Sequence, residues 1–314
     1  MHDLPAMYDH FLGTLKATSE QYFGVDGNHH VYSYQPKLTD LEVVALACTA
    51  EALEIDSENL LFSKLDSYPN FLTHKCTRQR YNARRRNLHE LIDKCLREAS
   101  LWIDEFDEAL LTDSMPIPTA SIKREGKSRA CRRPELDSQC ADKTYHASSG
   151  SFMLGFKLHL ITTVSGVYVD HVIRPSSQHD ARVFAELAEA ARNNVLPEQL
   201  HARLKARLIL ADKGYFGKQL RLDFATEFNG ELKAVCRSNS KNWEPTNPHH
   251  KRVRRYIETV FSQLGDEVRI KINRAKRYSG LAVRVTTKLL TRTLKQWVNY
   301  HTGKSLNQTK HWLT

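Results

Sequence analysis

Three carboxylates stand where a metal-dependent phosphoryl-transfer site would need them. Asp113 closes the short apolar run Ala109-Leu110-Leu111-Thr112. Asp212 closes a second run, Leu208-Ile209-Leu210-Ala211, and is followed by Lys213-Gly214-Tyr215. Glu258 lies in an Arg-rich helical pattern that begins Arg254-Arg255-Tyr256-Ile257. Two Asp at strand ends and one Glu on a later helix can converge on a pair of Mg²⁺ ions, with Mn²⁺ as a substitute. Hard cations prefer carboxylate oxygens and keep positions open for substrate phosphate.

Each carboxylate also has a plainer role. Asp113 would serve as a turn residue ahead of Pro116 and Pro118, and Asp212 as a helix cap near Gly214. Glu258 would pair with Arg254 or Arg255 on one helix face, an interaction of about a few tenths of a kcal/mol. All three plain roles coinciding with this element order is the weaker reading. Asp142, in Ala141-Asp142-Lys143, echoes Ala211-Asp212-Lys213 but lacks a strand-like run before it. His179 and Asp180 fall near the site, with N-capping of the next helix the expected job of Asp180.

The elements that must position these groups can be read from periodicity. Residues up to about 100 form a helical, DNA-binding region. Thr39-Asp40-Leu41-Glu42 is a capping box, a second helix covers Glu58 to Leu65, and a third runs from about Thr77 to Ala99. The third carries Arg78, Arg80, Arg84, Arg85 and Arg86. That outline fits a helix-turn-helix DNA reader as well as a helical bundle with a solvated Arg face.

Residues 101–265 then change to strands. Ala109 to Asp113 is the first, and Phe156 to Val164 with Val167 to Ile173 forms a hairpin around Ser165-Gly166. A helix opened by His179-Asp180 and running to about Arg192, a strand at Arg207 to Asp212, and a helix from Gly217 to about Phe228 follow. The series ends with a strand at Leu232 to Cys236 and a helix from about His250 to Leu264. This order resembles the ribonuclease H-like fold, an α/β mixed sheet flanked by helices, in which the first and fourth strands lie side by side.

Two polar segments interrupt the pattern. Ser114 to Gly155 reads as a long loop, functional or disordered. Arg237 to Pro248 holds Trp243, which would either stack on an unpaired base or, more commonly, anchor the loop. Residues 266–314 form a basic C-terminal helical segment. Its Arg284, Lys288, Arg292 and Lys295 fit a phosphate-facing helix or an amphipathic terminal one.

Composition points to the partner. The 314 residues carry 46 Lys and Arg against 36 Asp and Glu, a net charge of +10. A chain that basic suits a polyanion, nucleic acid above all. There is no apolar run long enough to span a membrane, and the start lacks the pattern of a signal peptide. The six cysteines form no C-x-x-C pair, as expected of reduced thiols in the cytoplasm.

Four strings carry a resemblance over most of the chain. They are Leu110-Leu111-Thr112-Asp113-Ser114-Met115-Pro116, Gly155-Phe156-Lys157-Leu158-His159-Leu160, Ala211-Asp212-Lys213-Gly214-Tyr215, and Arg254 through Leu264. In this order they resemble insertion-sequence transposases of the DDE type. Arg78 through Arg86 is similar to the group called insertion-sequence family nine-eighty-two. The resemblance implies metal-dependent 3′-end cleavage and strand transfer on double-stranded DNA, at the element's terminal inverted repeats and at target DNA. It implies catalysis by Asp113, Asp212 and Glu258 and a homodimer or larger synaptic complex. DNA contacts are expected from Arg78, Arg80, Arg84, Arg85, Arg86, Arg254, Arg255 and Trp243. Some related transposases place a Tyr seven residues before the Glu, an Arg four before and a Lys seven after. Arg254 matches, whereas Lys251 and Gly265 occupy the other two positions. Two rival readings remain open here: a DNA-binding descendant without catalysis, and a structure-selective nuclease that cannot join strands.

Overall fold

The computed structural model describes residues 3–72, 74–103, 107, 109–146, 150–193, 195–236, 245 and 247–312. The chain begins with five helices: α1 (Leu4–Ser19), α2 (Asp40–Ala52), α3 (Glu58–Asp66), α4 (Arg78–Asn87) and α5 (His89–Leu101). Strands β1 (Ala109–Ala120), β2 (Asp142–His146), β3 (Ser151–Thr163) and β4 (Tyr168–Pro175) follow. Then come α6 (Asp180–Arg192), α7 (Glu198–Leu204), β5 (Leu208–Ala211), α8 (Lys218–Phe228) and β6 (Glu231–Ala234). Helices α9 (Pro248–Arg254), α10 (Tyr256–Asp266) and α11 (Tyr278–His301) complete the order. None of these helices is long and apolar enough to cross a membrane.

The chain divides into two compact units, one of residues 1–104, 129–138 and 263–314, the other of residues 105–128 and 139–262. The C-terminal segment therefore groups with the N-terminal helices.

In the helical unit, Thr39 caps α2 through the reciprocal box with Glu42, as its sequence requires. Helix α11 packs on α2 and α5. The expected single helix from Thr77 to Ala99 is two, because the chain leaves helical geometry at Leu88. The basic stripe on α11 is a correction to the phosphate-facing reading. Arg284, Lys288, Arg292 and Lys295 are all 5% exposed or less. Lys288 reaches Glu51 at 2.6 Å, Arg284 reaches Glu58 at 2.7 Å, and Lys295 reaches Glu267 at 3.8 Å. Arg292 bonds to Gln263 and Gln296. A buried cation without a partner is far costlier than one beside a carboxylate, so these side chains turn inward to their partners.

The α/β unit is built on a six-stranded sheet ordered β2-β3-β1-β5-β6, with β4 also paired to β3. Strand β3 holds β2 along Ser151–Gly155 and β4 along Phe156–Thr162, so both occupy one edge of β3. Pairing of β1 with β3 and of β3 with β4 is antiparallel, and that of β1 with β5 and β5 with β6 is parallel. An antiparallel trio continued by two parallel strands through helical crossovers is the ribonuclease H-like topology. One sheet face packs Leu110, Ile209 and Ala211 against Phe184, Leu220 and Phe224 of α6 and α8. The other packs Leu111 and Leu210 against Ile257 of α10.

The expected loop between Ser114 and Gly155 carries strand at both of its ends. Strand β1 continues to Ala120 and β2 adds a further strand. Pro116 and Pro118 are tolerated because β5 pairs with β1 only from Ala109 to Thr112, leaving an open edge where no N–H is required. At the far end Gly155 lies against Ile117; an added Cβ would stand 2.3 Å from that carbonyl oxygen. Helix α7 is an element the periodicity did not reveal, and the expected helix from His250 to Leu264 breaks into α9 and α10 at Arg255. Trp243 lies outside the described residues.

Candidate active site

The parallel register pairs Thr112 with Ala211 and stops there, so Asp212, just past the end of β5, stands beside Asp113. Asp113 does not close its strand as expected but lies within β1 at the point where β5 leaves it. Side chains alternate along a strand, and Asp113 shares the parity of Ala109 and Leu111, as Asp212 shares that of Leu210. Both carboxylates therefore face the α10 side of the sheet. Ile257 packs on Leu111 and Leu210 there, which brings Arg254 and Glu258 to the strand ends.

One guanidinium gathers the three acids. Arg254 Nη1 stands 3.6 Å from Asp113 Oδ2 and 4.0 Å from Asp212 Oδ1, while Nη2 donates to Glu258 Oε1 at 3.3 Å. Arg254 is 15% exposed at its side chain and Glu258 59%, so the acids line a cleft open on the helix side. Burial pushes the Asp113 carboxyl up to about 7. The Ser114 N–H, which Asp113 Oδ1 accepts at 2.8 Å, and the Arg254 charge pull it down, while Asp212 pushes it up. Asp212 occupies the N-cap position of the single turn Lys213–Tyr215, yet its side chain makes no capping bond. Its carboxylate is thus directed to the site, and the plain capping role does not hold.

Among the described residues, no three His, Cys, Asp or Glu side chains stand close enough together to form a metal cage as they are. The donors gathered at Arg254 are carboxylate oxygens, the hard type that Mg²⁺ and Mn²⁺ prefer.

A family model, Transposase DDE domain, matches residues 104–294. The chain belongs to this transposase family. Among solved structures, the transposase is similar to the Mos1 mariner paired-end complex with Mn, at 13% identity over 95% of this chain and 86% of that one, TM-score 0.32. It is also similar to the Mos1 transposase paired-end complex with left transposon end, at 14% identity over 79% and 82%, TM-score 0.23. No curated protein matches it.

The remaining candidates of the transposase separate by exposure. Asp142, the rival first carboxylate, accepts from Ser176 Oγ at 2.7 Å, from the Ser177 N–H at 2.9 Å and from the Ser177 hydroxyl. It ties β2 to the end of β4. Arg254 belongs to the carboxylate cluster, and Arg255 beside it is exposed. On α4, Arg80 and Arg86 are exposed and Arg78 is half-buried. Arg84 and Arg85 are corrections. Arg84 is held by Asp40 and the Leu38 carbonyl, and Arg85, 4% exposed, pairs with Glu58 at 2.7 Å. Their partners sit on α2, α3 and the turn before them, too distant in sequence for helix periodicity to report.

One group was underrated in the sequence. Asp180 Oδ1 accepts from Lys157 Nζ at 2.9 Å and from Ser114 Oγ at 3.3 Å. His159, 5% exposed, stands 3.9 Å away. Helix α6 takes His179 as its N-cap residue, without a side-chain bond, so Asp180 is not a cap. The available signal was Lys157-x-His159: two polar residues two apart in an otherwise apolar strand share one face.

Proposed function

We propose that the chain is a DDE transposase that cleaves 3′ ends of an insertion element and transfers them to target DNA, with Asp113, Asp212 and Glu258 as its catalytic carboxylates. The observation that carries this reading is the convergence of all three on Arg254 within 4.0 Å. Acids brought from two strands and a helix to one cation suit phosphoryl transfer, which needs positive charge shared among its acids.

Asp113, Asp212 and Glu258 would hold Mg²⁺ or Mn²⁺. Bound there, the metal would activate water or a 3′-hydroxyl and stabilise the leaving oxygen. The protein's own residues supply position. Asp113 and Asp212 are fixed by strand register, and the Ser114 N–H orients the first of them. Glu258 rides on a helix end, is the most exposed of the three, and has the most freedom to move onto an ion. Arg254 compensates the acids and still has an uncommitted donor. Its Nε–H is buried without a partner among the described residues, and a phosphate oxygen of the DNA would satisfy it. Arg255 beside the acids would contact DNA, and within the helical unit by itself Arg78, Arg80 and Arg86 would contact phosphates. Two ends must meet for transposition, so a dimer or larger synaptic assembly is part of the proposal.

The test is cleavage of labelled element-end duplex in Mg²⁺ by wild type, Asp212→Asn and Glu258→Gln. Loss of cleavage by at least about a hundredfold in both variants, with DNA binding retained, is expected. Wild type that binds ends but never cuts, in Mg²⁺ or Mn²⁺, would favour a binding-only protein.

A further inference from the structure

Strand alternation places the neighbours of the carboxylates on the opposite face of the sheet. Ser114 follows Asp113 and therefore points toward α6 and α8, as do its register partner His159 and, two residues before that, Lys157. Asp180 sits among these three at the start of α6. Its second oxygen is packed against the turn after Asp212: a Cβ added to Gly214 would stand 2.7 Å from Asp180 Oδ2. One carboxylate thus touches the residue after Asp113 and the residue two after Asp212.

We propose that Asp180 is a positioning residue that braces the Asp113–Asp212 pair from behind the sheet, with Lys157 as its charge partner. This rests on the catalytic reading of Asp113 and Asp212. Lys157 also donates to the Gln178 carbonyl at 3.2 Å, which fixes the α6 start to β3. His159 bonds to the Tyr215 hydroxyl at 3.3 Å, and burial drives its imidazole down to about 4, so it stands neutral beside the Lys157–Asp180 pair. The brace is close-packed: a larger residue at Gly214 would have to displace the Asp180 carboxylate. Its place on the far face makes it a support for metal ligands and not a ligand.

The experiment is titration of the full chain with Mn²⁺ alone, followed by loss of the free-ion electron paramagnetic resonance signal. Thermal melting and DNA binding are measured alongside. Asp180→Ala and Lys157→Met are each expected to weaken Mn²⁺ binding by about tenfold with unchanged stoichiometry. The double variant should be no weaker than either single one, since both break the same contact. Asp180→Asn, which keeps an acceptor in place, should lose less than Asp180→Ala. If Asp180→Ala fails to fold, Asp180→Asn and Lys157→Met carry the comparison. Wild-type affinity in the folded variants, or fully additive losses, would overturn the brace. Loss of a bound ion, in place of weakened affinity, would make Asp180 a ligand and also overturn it. Asp113→Asn separates the two readings. If it abolishes Mn²⁺ binding while Asp180→Ala changes nothing, the brace falls and the catalytic reading stands. If Asp113→Asn changes nothing, the catalytic reading falls.

Discussion

At the residue scale, the proposed chemistry turns on Asp113. Its carboxyl is raised from 3.8 to about 7 mainly by burial, so without metal it holds a proton below that value. A cation must displace this proton, and the sign follows. Mn²⁺ affinity should rise about fivefold from pH 6 to 7 and flatten above 7. In the metal-free protein the linkage runs the other way. The stability contributed by protonated Asp113 is fully present below the unfolded value near 3.8 and is lost as pH rises through about 7. Calorimetric titrations at pH 6, 7 and 8 check the first statement, and equal affinities at all three would contradict it. Arg254→Gln should cut turnover by about 10²-fold, because both the link among the acids and the spare Nε–H disappear. Single-turnover cleavage measures this.

At the scale of elements, the apolar runs before the acids were legible and their supports were not. Asp212 does mark the end of β5, whereas Asp113 marks only where β1 parts from β5, since β1 itself continues to Ala120. Helix α6 begins within a residue of where periodicity places it, with His179 and not Asp180 at the cap position. The breaks at Leu88 and Arg255 left no Pro or Gly to announce them, since Leu88 and Arg255 themselves serve as the caps. The basic positions of α11 show why charge patterns mislead. Lys288 and Arg284 have the spacing of a solvated stripe, but Glu51 and Glu58 lie more than two hundred residues earlier in the chain. Asp180 was read as a cap for the same reason: its partners Ser114, Lys157 and Gly214 come from three other segments. The α2–α11 ion pair gives a stability prediction. Glu51→Ala would strand a buried Lys288 and should cost about 3–5 kcal/mol. Denaturant unfolding is the measurement; a loss under about 1 kcal/mol would mean that Lys288 is neutral when buried.

At the scale of the whole molecule, the excess of ten positive charges matters only where it faces solvent. Many of the cations are consumed in ion pairs, and the exposed set on α4 reduces to Arg80 and Arg86, with Arg78 half-buried. Replacing these three by Gln should weaken DNA binding equally for all sequences and lower the salt slope by up to about 3, one phosphate contact each. Arg85→Gln should leave the slope unchanged and reduce stability, because Arg85 is spent on Glu58. Fluorescence anisotropy against salt concentration distinguishes the two classes.

In the proposed function one carboxylate site both cuts an element end and joins it. The direct measurement supplies a precut, labelled end with a free 3′-hydroxyl, together with supercoiled target DNA and Mg²⁺. Wild type should convert label into the target band, and Asp212→Asn and Glu258→Gln should not. Joining that survives in either variant, or a wild type that cuts intact ends yet never joins the precut one, would contradict the account.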